Sequence, residues 1–314
     1  MGRDLEKWLS YGGEEFLREI GIREGQNILD FGCGDGVYTI PAAKLADIVY
    51  AADVDKNVID LLMEKAKSEG FRNIIPVLID TRINLESNSI DAVLLYDVLH
   101  YLNKEQREEL YSEVRRILRY GGILSVYPKH NKYDWPMWNL SDMDVNDIIK
   151  EIENHGFHLE GKYQKKLIHN GEYEVGTVLN FGKKSLTVAF GTDDGENLND
   201  NHFGSAKFYH IYQISNKKSK FVEEIENLKI EEDETTRGGD PGKAKATASI
   251  LKGIDVLVGR RFGPNITRML KRFACVVVRT DSIENAVSIV QDNIDGIAKE
   301  LNKGRERKHL ILRE

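Results

Sequence analysis

The sequence predicts an α/β protein built from two domains, and three observations lead to that prediction. Short apolar stretches alternate with charged, amphipathic stretches in the first half of the chain, which is typical of β-α-β units around a parallel sheet. A glycine-rich turn directly follows the first apolar stretch, at residues 27–29. A second alternation starts with the apolar stretch 185–190, and 314 residues of 41% hydrophobic content suffice for two cores.

The turn after the first strand reads DFGCGDG at residues 30–36. Because its three glycines have no Cβ atoms, the backbone can approach a flat, polar ligand at the carboxyl edge of the sheet. The spacing is GxGxG, since Val37 stands where the dinucleotide fingerprint has its third small residue. The turn therefore predicts a nucleotide-type pocket and disfavours nicotinamide and flavin dinucleotides.

Polar residues follow the next three predicted strands as well. The second strand, 48–52, ends at Asp53, about twenty residues after the turn, where an acid can accept hydrogen bonds from a ribose diol. The later strands are followed by Asp80 and Thr81, after 74–79, and by Tyr96 and Asp97, after 92–95. We therefore expect a ribose-bearing ligand at this edge of the sheet.

The connecting segments complete the first domain. Helical spacing of apolar residues predicts helices at residues 5–20, 37–45, 56–68, 104–118 and 144–154. A helix is also expected to begin at DVLHYL, residues 97–102, and antiparallel strands around 156–159 and 174–181 close the sheet. The predicted domain covers residues 1–182.

These segments together resemble the class I S-adenosylmethionine-dependent methyltransferases. Five stretches match in the family's order, namely LDFGCGDG, AADVD, LIDT, DAVLLYDVLHYL and LRYGGIL. The resemblance covers residues 1–182 and implies a Rossmann-like sheet, methyl transfer as the activity and S-adenosylmethionine as the cofactor. It leaves the methyl acceptor open, whether oxygen, nitrogen, carbon, sulfur or a metal.

The resemblance also implies a role for each matching position. Asp30, Gly32 and Gly34 would bind the methionine moiety, Asp53 the ribose hydroxyls, and Asp80 with Thr81 the adenine edge. Val54 and Tyr96 would contact the adenine faces or contribute nearby backbone. Cys33 lies within the turn and is expected among the cofactor-binding residues, with its side chain either a packing residue or a reactive thiol. The turn contains acids and neither Lys nor Arg, which suits a sulfonium better than a phosphate.

The first domain shows no clear catalytic base. His100 is a candidate, and a partly buried surface histidine is the alternative. Direct displacement at a sulfonium needs a base only when the acceptor must lose a proton. The aromatic segment 127–138 follows the fifth strand, and it predicts either a lid that contacts substrate or a contact between subunits.

The second domain resembles the dinitrogenase iron-molybdenum cofactor biosynthesis family. The matching stretches are VAFGTDDG, NHFGSAKFYHIY, GKAKATASILKGIDVLVGRRFGPN and ACVVV. Predicted strands lie at 185–190, 208–214, 255–258 and 275–278, and a long helix begins at Ser282. The resemblance implies a ribonuclease H-like α/β domain at residues 184–314 that binds or carries iron-sulfur cofactor precursors.

Two features of this domain bear on its ligand. His202 can bind iron through a neutral imidazole or can simply stabilise a loop. Five basic residues and no acid lie between Gly259 and Phe273, and they predict either a surface for an anionic cofactor or a solvated helix face.

Composition excludes several classes of function. Two cysteines in different domains argue against a structural disulfide and exclude a multi-cysteine metal site. The net charge of −7 argues against general nucleic-acid binding, although nucleic acid as a methyl acceptor stays open. Without a membrane-spanning stretch or a secretion signal, we expect a cytoplasmic protein that does not bind membranes. The sequence does not predict the oligomeric state.

Two functional hypotheses follow. The chain is a methyltransferase acting on a small molecule or metallocofactor precursor that the second domain binds or delivers. Alternatively, it is a metal-cluster carrier or sensor whose first domain only binds S-adenosylmethionine.

Overall fold

The computed structural model describes residues 2–79, 83–228 and 240–313. The chain divides into two compact units, Met1–Lys183 and Lys184–Glu314. Each unit has its own sheet, with seven described strands in the first and six in the second. None of the helices in the described part of the chain combines the length and apolarity needed to cross a lipid bilayer.

The first strand of the chain lies in the interior of the first sheet and not at its edge. Its strands are β1 (Asn27–Phe31), β2 (Ile48–Asp53), β3 (Ile74–Leu78), β4 (Ile90–Tyr96), β5 (Leu118–Tyr127), β6 (His158–His169) and β7 (Glu172–Gly182). They lie in the order β3-β2-β1-β4-β5-β7-β6. β1 to β5 are parallel, whereas β7 is antiparallel to β5 and β6. The connections diverge between β1 and β4, and ligands of open α/β sheets bind at the carboxyl ends beside such a switch point.

Helices cover both faces of this sheet, as the predicted β-α-β pattern requires. They are α1 (Arg3–Lys7), α2 (Gly13–Glu19), α3 (Thr39–Ala43), α4 (Lys56–Ser68), α5 (Lys104–Ile117) and α6 (Val145–Asn154). Neighbouring residues of β1 enter different cores: Ile28 packs in the cluster with Trp8 and Leu17, and Leu29 in the cluster with Leu110. Burial on both faces explains why the central parallel strands β1 and β4 are mostly apolar. The predicted α/β fold is confirmed for this unit.

The predicted leading helix, 5–20, is helical but not uniform. A π-helical segment, Trp8–Gly12, separates α1 from α2. The wider turn accompanies the burial of Trp8, whose indole Nε1 donates to the carbonyl oxygen of Val37 over 2.7 Å. At Gly13 a Cβ would lie 2.5 Å from Pro41 Cγ, so this glycine permits the helix to approach α3 closely.

Other helix starts follow local capping chemistry. The side chains of Asp55, Asn103 and Asp144 accept backbone N–H hydrogen bonds at the starts of α4, α5 and α6. The helix predicted at 37–45 is shorter, Thr39–Ala43, because Pro41 lacks an N–H and fits only the first turn of a helix.

The second unit contains a mixed sheet. Its strands are β8 (Leu186–Thr192), β9 (Phe208–Ile214), β10 (Ser219–Glu226), β11 (Val256–Gly259), β12 (Ala274–Val278) and β13 (Leu310–Leu312). The order is β10-β9-β8-β11-β12-β13. β9 is antiparallel to β8 and β10, and β8, β11, β12 and β13 are parallel neighbours. The helices are α7 (Pro241–Ile250), α8 (Ile266–Met269), α9 (Ile283–Asp292) and α10 (Ile294–Leu301).

This unit differs from the prediction at three places. The sequence analysis did not predict β10 and β13, and the long helix expected from Ser282 is divided at Asn293 into α9 and α10. β10 is an edge strand whose side chains are mostly exposed, so it shows no buried alternation. β13 has only three residues, which is too short for a periodic pattern.

Candidate functional site

The three glycines of the turn after β1 adopt positive φ for different reasons. Gly32, Gly34 and Gly36 have φ of +79°, +50° and +86°. A Cβ on Gly32 would lie 2.5 Å from Val98 Cγ2, and one on Gly36 would lie 2.4 Å from Leu62 Cδ1. No heavy atom of the described residues lies within 4 Å of a Cβ built on Gly34. Gly32 and Gly36 therefore allow close packing, whereas Gly34 borders open space.

Asp53 joins this turn to the end of β2. Its Oδ2 accepts the backbone N–H of Gly34 at 3.0 Å, and its Oδ1 accepts the N–H of Asp55 at 3.1 Å. Each carboxylate oxygen keeps further acceptor capacity for a ligand. The neighbouring Val54 side chain is 73% exposed, so an apolar surface is available beside this carboxylate.

Asp30 and Cys33 are buried beneath the turn. Asp30 Oδ2 accepts the hydroxyl hydrogen of Thr39 over 2.6 Å, and desolvation, helped by the nearby Asp53 charge, raises the pKa of Asp30 to about 6. Burial, together with the charge of Asp30, also raises the pKa of the Cys33 thiol well above its usual range. Of the two interpretations of Cys33, this environment favours a packing residue over a reactive thiol.

The remaining residues predicted to contact the cofactor are Asp80, Thr81 and Tyr96. Asp80 and Thr81 lie outside the described residues. Tyr96 is buried in the aromatic part of the core, with its ring centroid 4.6 Å from that of Tyr38 and its hydroxyl 2.8 Å from Ser125 Oγ. Its ring is thus held by protein contacts.

A group of one aspartate and three histidines lies beyond the carboxyl ends of β4 and β5. We call Asp97, His100, His130 and His169 the His–Asp cluster. Asp97 Oδ1 lies 3.6 Å from His100 Nδ1 and 3.5 Å from His130 Nε2. Asp97 Oδ2 lies 3.1 Å from His169 Nε2. One carboxylate therefore contacts three imidazoles.

Four separate segments of the first unit supply the cluster. Asp97 directly follows β4, and His100 lies in a 3₁₀ turn, Leu99–Tyr101, where the sequence predicted a helix. His130 follows β5, and His169 is the last residue of β6. Asp97 and His130 both have left-handed backbone conformations, with φ of 57° and 64°. Such conformations in non-glycine residues are typical of functional sites, because the surrounding structure must compensate for their cost.

Burial lowers the pKa of His100, and a hydrogen bond orients the ring of His130. His100 is 1% exposed, and desolvation, together with the charges of His130 and His169, lowers its pKa to about 4. Its imidazole is therefore neutral near pH 7. His130 Nδ1 lies 3.0 Å from the carbonyl oxygen of Trp135, which assigns a proton to Nδ1 and places Nε2 on the side that faces Asp97.

A charged network adjoins the cluster. Lys129 Nζ contacts Asp134 Oδ1 at 3.0 Å and Glu174 Oε1 at 2.9 Å, and the hydroxyl of Tyr127 donates to Glu174. Glu174 Oε2 lies 3.7 Å from His169 Nδ1. The His169 ring thus has Asp97 near its Nε2 and this network near its Nδ1.

Exposed aromatic side chains surround His100 and His130. Tyr101, Trp135 and Trp138, which we call the aromatic rim, are 61%, 79% and 57% exposed. The His100 ring centroid lies 4.0 Å from that of Tyr101, and it stacks on Trp138 at 5.3 Å. Two rim residues come from the aromatic segment for which the sequence left substrate and subunit contacts open.

Sequence reasoning found this cluster only in part. It proposed His100, noted Asp97 at a strand end and included His130 in the aromatic segment. It missed His169, which reaches Asp97 because β6 and β7 return antiparallel beside β5. The available signal is that a polar residue ends the strand, since His169 is the last residue of β6 just as Asp97 directly follows β4.

In the second unit, His202 lies at the start of a 3₁₀ turn, and its carbonyl oxygen accepts hydrogen bonds from Asn199 and Ser205. Among the described residues, Asp97, His100 and His130 form a group of three clustered metal-ligating side chains, and His202 belongs to no such group. Arg260, one of the basic residues noted above, pairs with Asp200 and lies 3.0 Å from Asp281. Acids from other segments thus partly neutralise that surface.

Two family models match the chain, one in each unit. The methyltransferase domain model matches residues 29–126, and the model described as dinitrogenase iron-molybdenum cofactor matches residues 184–293. The chain therefore carries one domain of each kind. The first match includes the glycine turn, Asp53, Asp97 and His100, and it supports S-adenosylmethionine as the cofactor.

Curated proteins similar to this chain are methyltransferases. A sterol 24-C-methyltransferase of Gibberella zeae is 27% identical over 156 residues, which are 48% of this chain and 37% of that protein. A ribosomal protein L11 methyltransferase of Caldanaerobacter subterraneus is 33% identical over 102 residues, 29% of this chain and 33% of that protein. The matches thus span about a third of each relative. A solved structure of a SAM-dependent methyltransferase from Aquifex aeolicus is 21% identical with a TM-score of 0.46, covering 56% of this chain and 93% of that chain.

Proposed function

We propose that this chain, a methyltransferase domain joined to a dinitrogenase iron-molybdenum cofactor domain, transfers a methyl group from S-adenosylmethionine to a small molecule or a metallocofactor precursor. One sheet edge carries the proposal. The glycine turn follows β1, Asp53 ends β2, and Asp97 follows β4, with β1 between the other two strands. A donor beside the turn and an acceptor beside Asp97 would be neighbours, and proximity is the main requirement of direct displacement.

The residues at the turn fit this cofactor. When bound, S-adenosylmethionine supplies a methyl group on a positively charged sulfonium. The carboxylates of Asp30 and Asp53 lie at the turn and provide complementary charge, while the open space at Gly34 admits the ligand. Among the described contacts, the ammonium of Lys65 borders the turn at 3.5 Å from the Asp35 carbonyl oxygen, and the acids at the turn outnumber it.

Individual roles at this site follow the sequence interpretation. Asp53 would bind the ribose hydroxyls with its free acceptor capacity, and the exposed Val54 would contact the adenine. Asp80 and Thr81 would bind the adenine edge. We propose that Tyr96 contributes through its backbone, because its ring is already packed against Tyr38.

The acceptor side is proposed to be the His–Asp cluster with the aromatic rim above it. His169 Nε2 lies 3.1 Å from Asp97 Oδ2, so this imidazole could take a proton from an acceptor while the carboxylate stabilises the resulting charge. His100 is a poorer base, because its lowered pKa leaves it weakly basic. We therefore assign His100 a positioning role under the rim. The relatives act on substrates as different as a sterol and a ribosomal protein, so they do not identify the acceptor.

For the second unit we propose a ribonuclease H-like fold that holds or delivers an anionic or metal-containing cofactor. The antiparallel strands β8 to β10, followed by parallel β11 and β12, support that fold. Covalent linkage to the methyltransferase domain would raise the effective concentration of the captured compound.

Calorimetric titration with S-adenosylmethionine tests the donor site. Asp53→Asn removes the negative charge and retains an acceptor for Gly34, and we expect it to weaken binding about tenfold or more. The matched control is Asp60→Asn, an exposed acid on α4 paired only with Lys56 in the described contacts. Equal affinity for the wild type and Asp53→Asn would remove the ribose assignment. Transfer of labelled methyl groups into an extract of the source cell would identify the acceptor class.

The match of residues 184–293 favours a second candidate, a cofactor carrier or sensor. In that case S-adenosylmethionine would bind without methyl transfer, and iron would copurify under anaerobic conditions. Metal analysis of His202→Ala addresses the predicted ligand, because unchanged iron content in this variant would exclude His202.

A further inference from the structure

We propose that Asp97, His100 and His130 bind one divalent transition-metal ion in the methyltransferase domain. Each of these three residues offers one ligand atom within 4.8 Å of those of the other two. We assign Asp97 Oδ1, His100 Nδ1 and His130 Nε2 as the ligand atoms, because Asp97 Oδ1 lies 3.6 Å from His100 Nδ1 and 3.5 Å from His130 Nε2. This site is separate from the iron site considered at His202, and its existence does not depend on the proposed methyl transfer.

The distances between these atoms fit a metal centre. Zn²⁺ binds imidazole nitrogen and carboxylate oxygen at about 2.0–2.2 Å, so the edges of a tetrahedral site measure roughly 3.3–3.6 Å. Asp97 Oδ1 lies 3.5 Å from His130 Nε2 and 3.6 Å from His100 Nδ1. Two of the three edges thus have nearly the required length without any movement of the chain.

Hydrogen bonding gives an independent argument. Asp97 Oδ1 and His100 Nδ1 are buried, and neither has a hydrogen-bond partner among the described residues. Their separation of 3.6 Å is too long for a hydrogen bond between them. Buried polar atoms are normally satisfied, and a cation between these two atoms would satisfy both.

The surrounding contacts orient the ligands as in known metal sites. His130 donates its Nδ1 proton to the Trp135 carbonyl oxygen at 3.0 Å, which leaves Nε2 free to coordinate. Asp97 uses Oδ2 for His169 Nε2 at 3.1 Å, which leaves Oδ1 for the ion. His169 therefore orients the carboxylate, and Glu174 lies beyond His169.

The donor set indicates which ions would bind. Two imidazoles and one carboxylate favour Zn²⁺ or Fe²⁺, and the absence of thiolate from these three ligands disfavours Cu⁺ and iron-sulfur clusters. Three protein ligands also leave a coordination position open, as in catalytic sites. An ion there would bind an acceptor oxygen, nitrogen or sulfur atom and lower its pKa, a role that rests on the proposed function.

Titration of the full chain with metal ions, after chelation and dialysis, tests the site. We expect one Co²⁺ per chain with the intense visible absorption bands of a low-symmetry site, and calorimetric titrations with Zn²⁺ and with anaerobic Fe²⁺ distinguish the two ions. His100→Ala and His130→Ala should each weaken Zn²⁺ binding about 100-fold or more, and His169→Ala about 10- to 100-fold. His155→Ala is the matched control, because His155 lies in the same unit and its Nδ1 contacts the Glu151 carbonyl oxygen.

Absence of stoichiometric Co²⁺ or Zn²⁺ binding by the wild type would overturn the proposal, as would unchanged affinity in both His100→Ala and His130→Ala. Loss of binding in His202→Ala alone would also overturn it, because the ion would then lie in the second unit. The wild-type cobalt spectrum and the conservative variant Asp97→Asn, which should weaken binding about tenfold or more, provide results if an alanine variant does not fold. S-adenosylmethionine titration of the metal-free protein reports on the proposed donor site separately, so the two proposals can fail independently.

Discussion

The backbone N–H of Gly34 donates to Oδ2 of Asp53 over 3.0 Å. This hydrogen bond joins the turn after β1 to the end of β2, the two segments to which the donor site is assigned. The glycine brings no side chain into the open space, and the aspartate presents its charge at the border of that space. Substitutions at the turn should therefore separate effects on ligand binding from effects on packing.

Gly34→Ala should weaken cofactor binding more than folding. The added Cβ meets no atom of the described residues, so the main folding cost is the positive φ of +50°, about 1 kcal/mol. The same methyl group would stand in the proposed ligand space, and we expect S-adenosylmethionine to bind about tenfold or more weakly. Calorimetry and urea unfolding measure the two effects.

Gly36→Ala is the control, because it should weaken folding more than cofactor binding. Its Cβ would lie 2.4 Å from Leu62 Cδ1, in addition to a φ of +86°, so we expect destabilisation of about 2–4 kcal/mol. The folded fraction should bind the cofactor with near wild-type affinity. Equal binding losses in both alanine variants would contradict the assignment of the open space to the ligand.

The buried carboxyl of Asp30 predicts a pH-dependent stability. Its pKa is raised to about 6 in the folded protein, so the folded state holds this proton more tightly than the unfolded state does. The corresponding stability is present below about pH 4 and is lost as the pH rises through about 6. Asp30→Asn has no carboxyl to ionise, so it should not lose stability as the pH rises. Its amide oxygen can still accept the hydrogen bond from the Thr39 hydroxyl. Its stability relative to the wild type should increase by about 2 kcal/mol between pH 4 and pH 7.

The ionisation of Asp30 should affect cofactor affinity in the opposite way to stability: as the pH rises, affinity should increase while stability decreases. Ionisation of this carboxyl supplies negative charge near the proposed sulfonium, so wild-type affinity should rise through about pH 6, the pKa of this group. Asp30→Asn should remove that rise. An unchanged binding profile in the variant, measured from pH 5 to pH 8 by calorimetry, would show that another group is responsible.

A buried ion pair connects α5 to α6. Arg107 Nε lies 2.7 Å from Glu151 Oε1, and Nη2 lies 2.8 Å from Oε2, with both side chains nearly inaccessible. Arg107→Met leaves the Glu151 charge without its main partner, and we expect a loss of about 3–5 kcal/mol in urea unfolding. Arg107→Met with Glu151→Leu should recover most of that loss. If Arg107→Met lowers the free energy of unfolding no more than the double variant does, the ion pair does not account for this stability.

Much of the fold could be predicted because its signals are local. The turn at 30–36, the acid at the end of β2 and the apolar strands all follow from short-range patterns. The helix 56–68 was predicted with its observed bounds because apolar residues recur at helical spacing, and in the structure Asp55 caps its start. The π-helical segment at Trp8 was missed, because it depends on the distant Val37 carbonyl and on Pro41.

The candidate site was less predictable for the same reason. Asp97, His130 and His169 are far apart in the sequence, and they meet only because β7 pairs with β5 and carries β6 beside it. The periodicity of apolar residues predicts that strands exist, but it does not predict their order in the sheet. A search for polar residues at the ends of all strands, including the closing pair, would have added His169.

The aromatic rim provides the last prediction, because its two sequence interpretations give different results. Trp138 is 57% exposed, and its ring stacks on that of the buried His100. If the rim binds the acceptor, Trp138→Ala should lower labelled methyl incorporation into a cell extract about tenfold and leave the S-adenosylmethionine affinity within about twofold. Phe221→Ala, at a half-exposed aromatic residue of the second unit, is the control. If the rim is instead a subunit contact, Trp138→Ala should shift the concentration dependence of sedimentation before it affects methyl transfer, because the lost contact would lie between chains.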